Sequence, residues 1–152
     1  DHASGRQMYQ FMLAPQLVGA AVHFHHAAAN ALIYGAKRWF LFPPASSFYS
    51  IKPIYQWFTE DYPKLPPQDR PLECMQHVSA IGGCNLIMLS TATDCLLPTV
   101  CGLTPPPPPV SSHAIHSCQA GDVVYVPDMW AHGVLYTRDS IGIAYLFHER
   151  GG

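Results

Sequence analysis

Most of the chain consists of short runs of apolar residues, and in several of them apolar and polar residues alternate. Proline, glycine and polar turn residues separate the runs. Such runs predict β-strands, because successive strand side chains point to opposite faces of a sheet. The predicted strands cover residues 8–13, 20–25, 31–34, 37–42, 122–126, 130–135 and 141–147.

One segment departs from this pattern. In 54–62 the apolar residues recur at helical spacing behind Pro53, which predicts a short amphipathic helix. The polar stretch 137–140 predicts a hairpin turn between the last two strands. Many short strands with one short helix predict an all-β fold, a double-stranded β-helix or jelly roll.

The composition suits one globular domain that spans residues 1–152. Hydrophobic residues make up 49% of the chain and charged residues 12%, so a core is expected beneath a surface poor in charge. The net charge of −2 gives no basic surface for nucleic acid, and no apolar run is long enough for a membrane span. The chain begins at Asp1 without a signal-peptide pattern, so we expect an N-terminally truncated piece or a mature form. Localisation and oligomeric state are not indicated.

Three histidines carry the strongest chemical signal. His23 and His25 lie two apart in a predicted strand, so both imidazoles share one face. His132 arrives about a hundred residues later on another predicted strand. Three imidazoles that converge inside a small barrel would hold a divalent transition metal and leave positions open for water or substrate. His26 is out of phase and should face the other way, and the remaining histidines are expected at the surface or satisfied in the core.

The spacing around these histidines resembles that of the cupin motifs. The second motif, G-x5-P-x-G-x2-H, is matched by Gly121, Pro127 and His132, with Met129 in place of its second glycine. The first motif is matched more loosely, with Asn30 at the acidic position, by Gly19, His23, His25, Asn30 and Gly35.

The stretch 23–44, HFHHAAANALIYGAKRWFLFPP, resembles the JmjC branch of the cupin superfamily, in which a metal-binding pair precedes a G-x-K-R-W-x-L-F-P-P strand. Segment 54–74 and the sequence AGDVVYVPDMWAH continue the resemblance in the same order. It implies a jelly-roll oxygenase of the protein hydroxylase or demethylase class, with Fe(II) held by His-x-Asp/Glu…His and 2-oxoglutarate as co-substrate. Here His25 stands in the place of the carboxylate, so activity is expected to be weak or lost, and we assign no catalytic residue.

The same resemblance implies two cofactor-binding residues. In the family, a lysine after the glycine of this strand binds the far carboxylate of 2-oxoglutarate, which corresponds to Lys37. Strand alternation sends one of Lys37 and Arg38 inward. Asn30 would hydrogen-bond the cofactor or cap a turn, and we expect the turn. Two other functions stay open, a non-enzymatic domain that binds a protein partner and a three-histidine cupin dioxygenase independent of 2-oxoglutarate.

Segment 78–119 breaks the resemblance. It contains no Lys, Arg or Glu, four of the five cysteines, and five consecutive prolines. We predict an unstructured insertion, for which two origins are open, a lineage-specific surface loop and a translated intron. Its removal would make the JmjC-like pattern continuous. The cysteines show no paired zinc-ligand spacing, and Cys74 is the one cysteine outside the segment.

Overall fold

The structure is a computed structural model. It describes residues 8–78 and 123–147, and the backbone of three short strands at 86–89, 96–98 and 115–118. The described strands are β1 (Met8–Ala14), β2 (Gly19–His23), β3 (Ala28–Phe42), β4 (Leu72–His77), β5 (Leu86–Leu89), β6 (Leu96–Pro98), β7 (Ile115–Cys118), β8 (Val123–Val126) and β9 (Ala131–Leu146).

Two long strands organise the sheet. β3 and β9 pair antiparallel along their whole lengths, from Ala28 opposite Leu146 to Phe42 opposite Ala131. The other edge of β9 pairs with β1 and β2, and the other edge of β3 pairs with β8 and β4. Each long strand therefore runs through both halves of a jelly-roll arrangement, and the predicted all-β fold is confirmed.

Strand β3 bends at the place where we predicted one strand to end, at residue 34, and another to begin, at residue 37. The β3–β9 register shifts between Leu32 and Lys37, and Gly35 there adopts a φ of 95°. Ser140 Oγ accepts the Ala36 N–H at 3.1 Å and donates to the Arg138 carbonyl at 2.7 Å. The hairpin predicted at 137–140 is wrong, because these polar residues belong to an irregular but continuous strand in which Ser140 supplies hydrogen bonds to the backbone.

Helical structure is confined to short turns. The predicted helix is found as a turn of α-helix (Ile54–Gln56), a π-helical turn (Trp57–Asp61) and a 3-10 turn (Tyr62–Lys64). Further 3-10 turns lie at Pro44–Ser46 and Pro67–Asp69. Among the described residues, no helix has the length and apolar character needed to cross a bilayer.

Alternation along β3 divides the core in two. Trp39 and Leu41 point into the barrel interior, which also contains Trp130, Val134 and Tyr136. The next residues on β3 point outward and pack beneath the helical segment, in a second cluster formed by Val22, Phe40, Phe42, Ile54, Trp57, Ala131 and Leu135. Burial of these two clusters is the main favourable contribution to folding.

Strand β4 was not predicted, because its buried polar residues Glu73 and Gln76 hide the apolar pattern of a strand. Segment 78–119 contains β5, β6 and β7, and their backbones pair, β5 with β8 and β7 with β4, both in parallel. These pairings differ from the unstructured insertion that we predicted. The remainder of 79–119 lies outside the described residues, and its origin stays a hypothesis. Cys74 is disulfide-bonded.

Candidate metal centre

The three predicted histidines meet at one end of the barrel interior. His23 is the last residue of β2 and lies directly opposite His132 on β9. β2 ends earlier than predicted, and His25 follows it on the same side. Ring centroids are separated by 4.4 Å for His23 and His132, 5.1 Å for His23 and His25, and 4.8 Å for His25 and His132. One ring nitrogen from each histidine lies within 4.8 Å of the others, and this set could hold a metal ion.

Backbone carbonyls orient all three rings. His23 Nδ1 lies 2.8 Å from the Ala21 carbonyl, and His132 Nδ1 lies 3.1 Å from the Trp130 carbonyl. His25 Nδ1 lies 2.6 Å from the His26 carbonyl. A carbonyl only accepts hydrogen bonds, so these contacts favour the tautomer in which Nδ1 carries the proton and Nε2 is available to a metal. Hydrogen bonding at one ring nitrogen is how proteins present the other to a metal.

Burial keeps two of these rings neutral. His132 is only 4% exposed, and burial, followed by repulsion from His23, lowers its pKa to about 3. Burial is also the largest cause that lowers the pKa of His25. Metal ligation requires neutral imidazole, so these two ligands need no deprotonation near neutral pH.

The turn before β9 is hydrogen-bonded to the loop that carries His25. Met129 occupies the motif's glycine position and adopts the left-handed conformation, with a φ of 62°. Its N–H donates to the His25 carbonyl at 3.2 Å, which fixes the loop that carries His25. His26 lies outside the three-histidine cluster, with Nδ1 3.6 Å from a carboxylate oxygen of Asp128. Gly121 and Asp122 of the same motif lie outside the described residues.

Lys37 lies inside the barrel. Its side chain is 0% exposed, and its ammonium donates to Asn30 Oδ1 and lies 5.0 Å from the centroid of the Trp39 ring. Arg38 points to the opposite side and pairs with Glu73. Burial alone accounts for the lowering of the Lys37 pKa to about 7. No described carboxylate compensates this buried cation.

Asn30 does not cap a turn, which was the role we expected. It lies within β3, is buried, and accepts the hydrogen bond from Lys37. Its Nδ2 lies 3.6 Å from Met12 Sδ. The cofactor-binding role of Asn30 stays a prediction.

Aromatic side chains connect the lysine to the histidines. The Trp39 ring lies 6.0 Å from the His132 ring, so the Lys37 ammonium lies within about 11 Å of the His132 ring. Trp39 Nε1 donates to Gln76 Oε1 at 3.2 Å. Trp130 shares the interior, and its Nε1 is buried without a hydrogen-bond partner. An unsatisfied buried donor of this kind is costly.

Sequence reasoning missed two residues that flank Lys37. On the sheet, Gln76 of β4 and Tyr136 of β9 are its direct cross-strand neighbours. Both are buried, and burial raises the pKa of the Tyr136 phenol. Every second residue of a strand shares a face, so His132, Val134 and Tyr136 point to the same side. The sequence would have indicated Tyr136 if residues 131–146 had been recognised as one strand.

Comparison with known proteins finds relatives whose names include a JmjC domain. The chain is 29% identical over 138 residues to JmjC domain-containing protein 8 of Homo sapiens, and equally to those of Rattus norvegicus and Mus musculus. The match covers 90% of this chain but only 36% of each relative, so the chain spans about a third of their length. No protein-family profile matches it. The jelly-roll fold and this similarity together support a JmjC-like, cupin-type domain.

Proposed function

We propose that this JmjC-like domain binds one divalent transition metal through His23, His25 and His132, and an anionic co-substrate such as 2-oxoglutarate through Lys37 and Asn30. The function would then be that of the Fe(II)/2-oxoglutarate-dependent protein hydroxylase or demethylase class, with weak or lost turnover. A protein is the proposed substrate or partner.

The orientation of the three imidazoles carries the proposal. Each Nδ1 is engaged by a backbone carbonyl, so the three Nε2 lone pairs are left for one ion. Three ligands on one side leave the remaining coordination positions to other molecules, as in the facial sites of non-haem iron oxygenases.

Lys37 supports the anionic co-substrate. A buried ammonium without a carboxylate partner is unfavourable, and an anion in the interior would compensate it. Its separation from the His132 ring is at most about 11 Å, a span that a dicarboxylate bound to the metal could bridge to reach the ammonium.

His25 argues for weak turnover. Fe(II), when bound, would supply the centre at which this class activates oxygen, and a carboxylate ligand would normally offset one of its positive charges. Three neutral imidazoles leave both charges on the ion, so the ion attracts anionic ligands more strongly and its redox behaviour differs. The three histidines therefore fit a metal site better than they fit the full ligand set of this oxygenase class, which includes a carboxylate.

Metal analysis of the purified chain tests the proposal. After exposure to Fe(II), Co(II) or Zn(II) and dialysis, we expect about one ion per chain. His132→Ala should lower affinity by at least about a hundredfold, because it removes one of three ligands. The matched control is His26→Ala, which removes a neighbouring histidine outside the cluster and should keep the ion. Equal metal content in both variants would contradict the assignment.

Calorimetry on the metal-loaded chain tests the co-substrate. We expect 2-oxoglutarate to bind the original chain and to bind Lys37→Met at least about tenfold more weakly, because the ammonium is lost. Metal binding without any binding of 2-oxoglutarate would instead favour the non-enzymatic domain or the dioxygenase that needs no co-substrate.

A further inference from the structure

The outer side of the β1–β9–β3–β8 sheet is apolar and exposed. Tyr9, Phe11 and Leu13 alternate along β1 and are 69%, 70% and 74% exposed. Their cross-strand partners on β9 are Tyr145, Ile143 and Ile141. Because directly opposed residues share a face, these side chains form one surface. We call it the outer apolar face, and its most prominent members are Tyr9, Phe11, Leu13, Tyr34, Ile143 and Tyr145.

Among the described residues, the face continues from β9 across β3 to β8 without a charged side chain. Ala31 of β3 lies between Ile143 of β9 and Val123 of β8, and the row beside it ends in Tyr125. The rings of Tyr9 and Tyr145 lie 4.8 Å apart, and Tyr145 stacks on Phe147 at 5.3 Å. Monomeric soluble proteins seldom expose so continuous an apolar patch, and a patch of this kind marks an interaction surface.

We infer that this face is a homodimer interface, in which a second copy of the chain packs its own outer apolar face against the first. Such an interface is symmetric, so the face must complement itself. A surface without charged side chains meets this condition, because no like charges are brought together and no charge is buried. The small net charge of −2 adds little repulsion between copies. This inference does not depend on the metal site.

The area is that of a stable dimer. Large apolar and aromatic side chains bury roughly 150–250 Å² each, and those of the outer face are partly to mostly exposed, so complete coverage would bury on the order of 700 Å² per copy. Specific interfaces bury about 800 Å² per partner, and homodimer interfaces are more apolar than transient ones. Two sheets pack face to face at about 10 Å, which suits side chains of this size.

A lipid surface is the competing occupant, and the face fits it less well. Proteins that lie on anionic membranes combine apolar residues with Lys or Arg at the rim of the patch. Among the residues that the structure describes, none of the outer apolar face, nor of the β8 positions beside it, is basic. A second copy needs no such charge.

Sedimentation velocity over protein concentrations from about 1 to about 100 µM tests the inference. We expect the original chain to reach twice its mass of 16.8 kDa. Phe11→Glu places a charge at the centre of the face, and it should raise the dimer dissociation constant at least about tenfold. Leu13→Glu should do the same. The matched control is Ile51→Glu, which alters a residue that is 94% exposed but lies on the loop after β3 and should leave the dimer intact.

Three outcomes would overturn the inference. One is a chain that stays monomeric throughout, and binding of that monomer to phosphatidylcholine vesicles would assign the face to lipid. Another is a dimer that survives both glutamate substitutions. The third is a dimer that persists on a denaturing gel without reductant, because the chain has five cysteines and an intermolecular disulfide would then hold it. Circular dichroism and the urea unfolding midpoint of each variant confirm that it folds.

Discussion

His23 and His132 are direct cross-strand partners, and their rings lie 4.4 Å apart where β2 pairs with β9. The β2–β9 register is irregular between Ala20 and His23, immediately before this contact. An irregular ladder re-aims the side chain that follows it. A metal bound by both histidines would join β2 to β9 next to the irregular part of their backbone ladder.

Metal binding should therefore stabilise the fold. A ligand at a hundred times its dissociation constant adds about 2.7 kcal/mol to the free energy of unfolding when it binds only the folded state. We expect a gain of this size with Zn(II), measured by urea denaturation, and its loss in His23→Ala. His26→Ala should keep the gain. A gain of the same size in His23→Ala would show that the ion binds elsewhere.

The buried Lys37 predicts a pH dependence of stability. Its pKa falls from 10.5 to about 7 in the folded state, so between these values the unfolded chain binds more protons. Stability should consequently rise with pH across this window, by about 1 kcal/mol per pH unit, while below about pH 7 both states are protonated and the cost stays constant. Urea denaturation of the metal-free chain at several pH values measures the slope. Lys37→Met should remove it, and identical slopes in the two proteins would refute the prediction.

Two buried tryptophans should respond differently to replacement by phenylalanine. Trp39→Phe removes a hydrogen bond to Gln76 and some core volume, and should cost about 2–4 kcal/mol. Trp130→Phe loses similar volume, but it also removes an unsatisfied donor. Removal of that donor would offset roughly 1–3 kcal/mol of the loss in stability. We expect the second variant to stay within about 1 kcal/mol of the original chain in thermal or urea unfolding without ligand. A larger loss for Trp130→Phe than for Trp39→Phe would contradict this.

Met129 should be a site of backbone strain. A left-handed conformation costs a non-glycine residue about 1–2 kcal/mol, and the Met129 side chain is half exposed, so it contributes little burial. Met129→Gly should raise stability by up to about 1 kcal/mol. Met129→Ala serves as the control, because its Cβ keeps the strain. Equal stability of the two variants would mean that strain at this position is negligible.

The strand periodicity and the histidine spacing predicted the parts of the fold that depend on local pattern. Alternation placed His23 and His25 on one side and sent one of Lys37 and Arg38 inward, and the geometry agrees for Lys37. The bend near Gly35 was not predictable, because it depends on Ser140, more than a hundred residues away, bonding the Ala36 backbone.

Buried polar residues were the other reason why parts of the fold could not be predicted from the sequence. Glu73 lies in β4, where it accepts from Arg38 and from the Tyr62 hydroxyl. A sequence shows Glu73 as a polar residue, and only its partners, brought together by the fold, make its burial favourable. The same holds for Gln76, whose position beside Lys37 becomes visible once β3 and β4 are paired.

An acidic ligand at position 25 should increase the turnover of 2-oxoglutarate. His25→Asp would place a carboxylate in the position that the JmjC resemblance assigns to it, and would offset one charge of the bound ion. The original chain, supplied with Fe(II) and 2-oxoglutarate, should produce little or no succinate, and His25→Asp should raise the rate of succinate formation by at least about tenfold, or roughly 1.4 kcal/mol of transition-state stabilisation.

A second substitution separates the roles of the ligand and the lysine. Adding Lys37→Met to His25→Asp should abolish the gain, because the far carboxylate of 2-oxoglutarate would lose its ammonium partner. His25→Ala is the matched control, since it removes the imidazole without supplying a carboxylate and should not increase turnover. If the original chain already turns over 2-oxoglutarate, and Lys37→Met abolishes that activity, three histidines suffice for the reaction and weak turnover is the part of the proposal that fails.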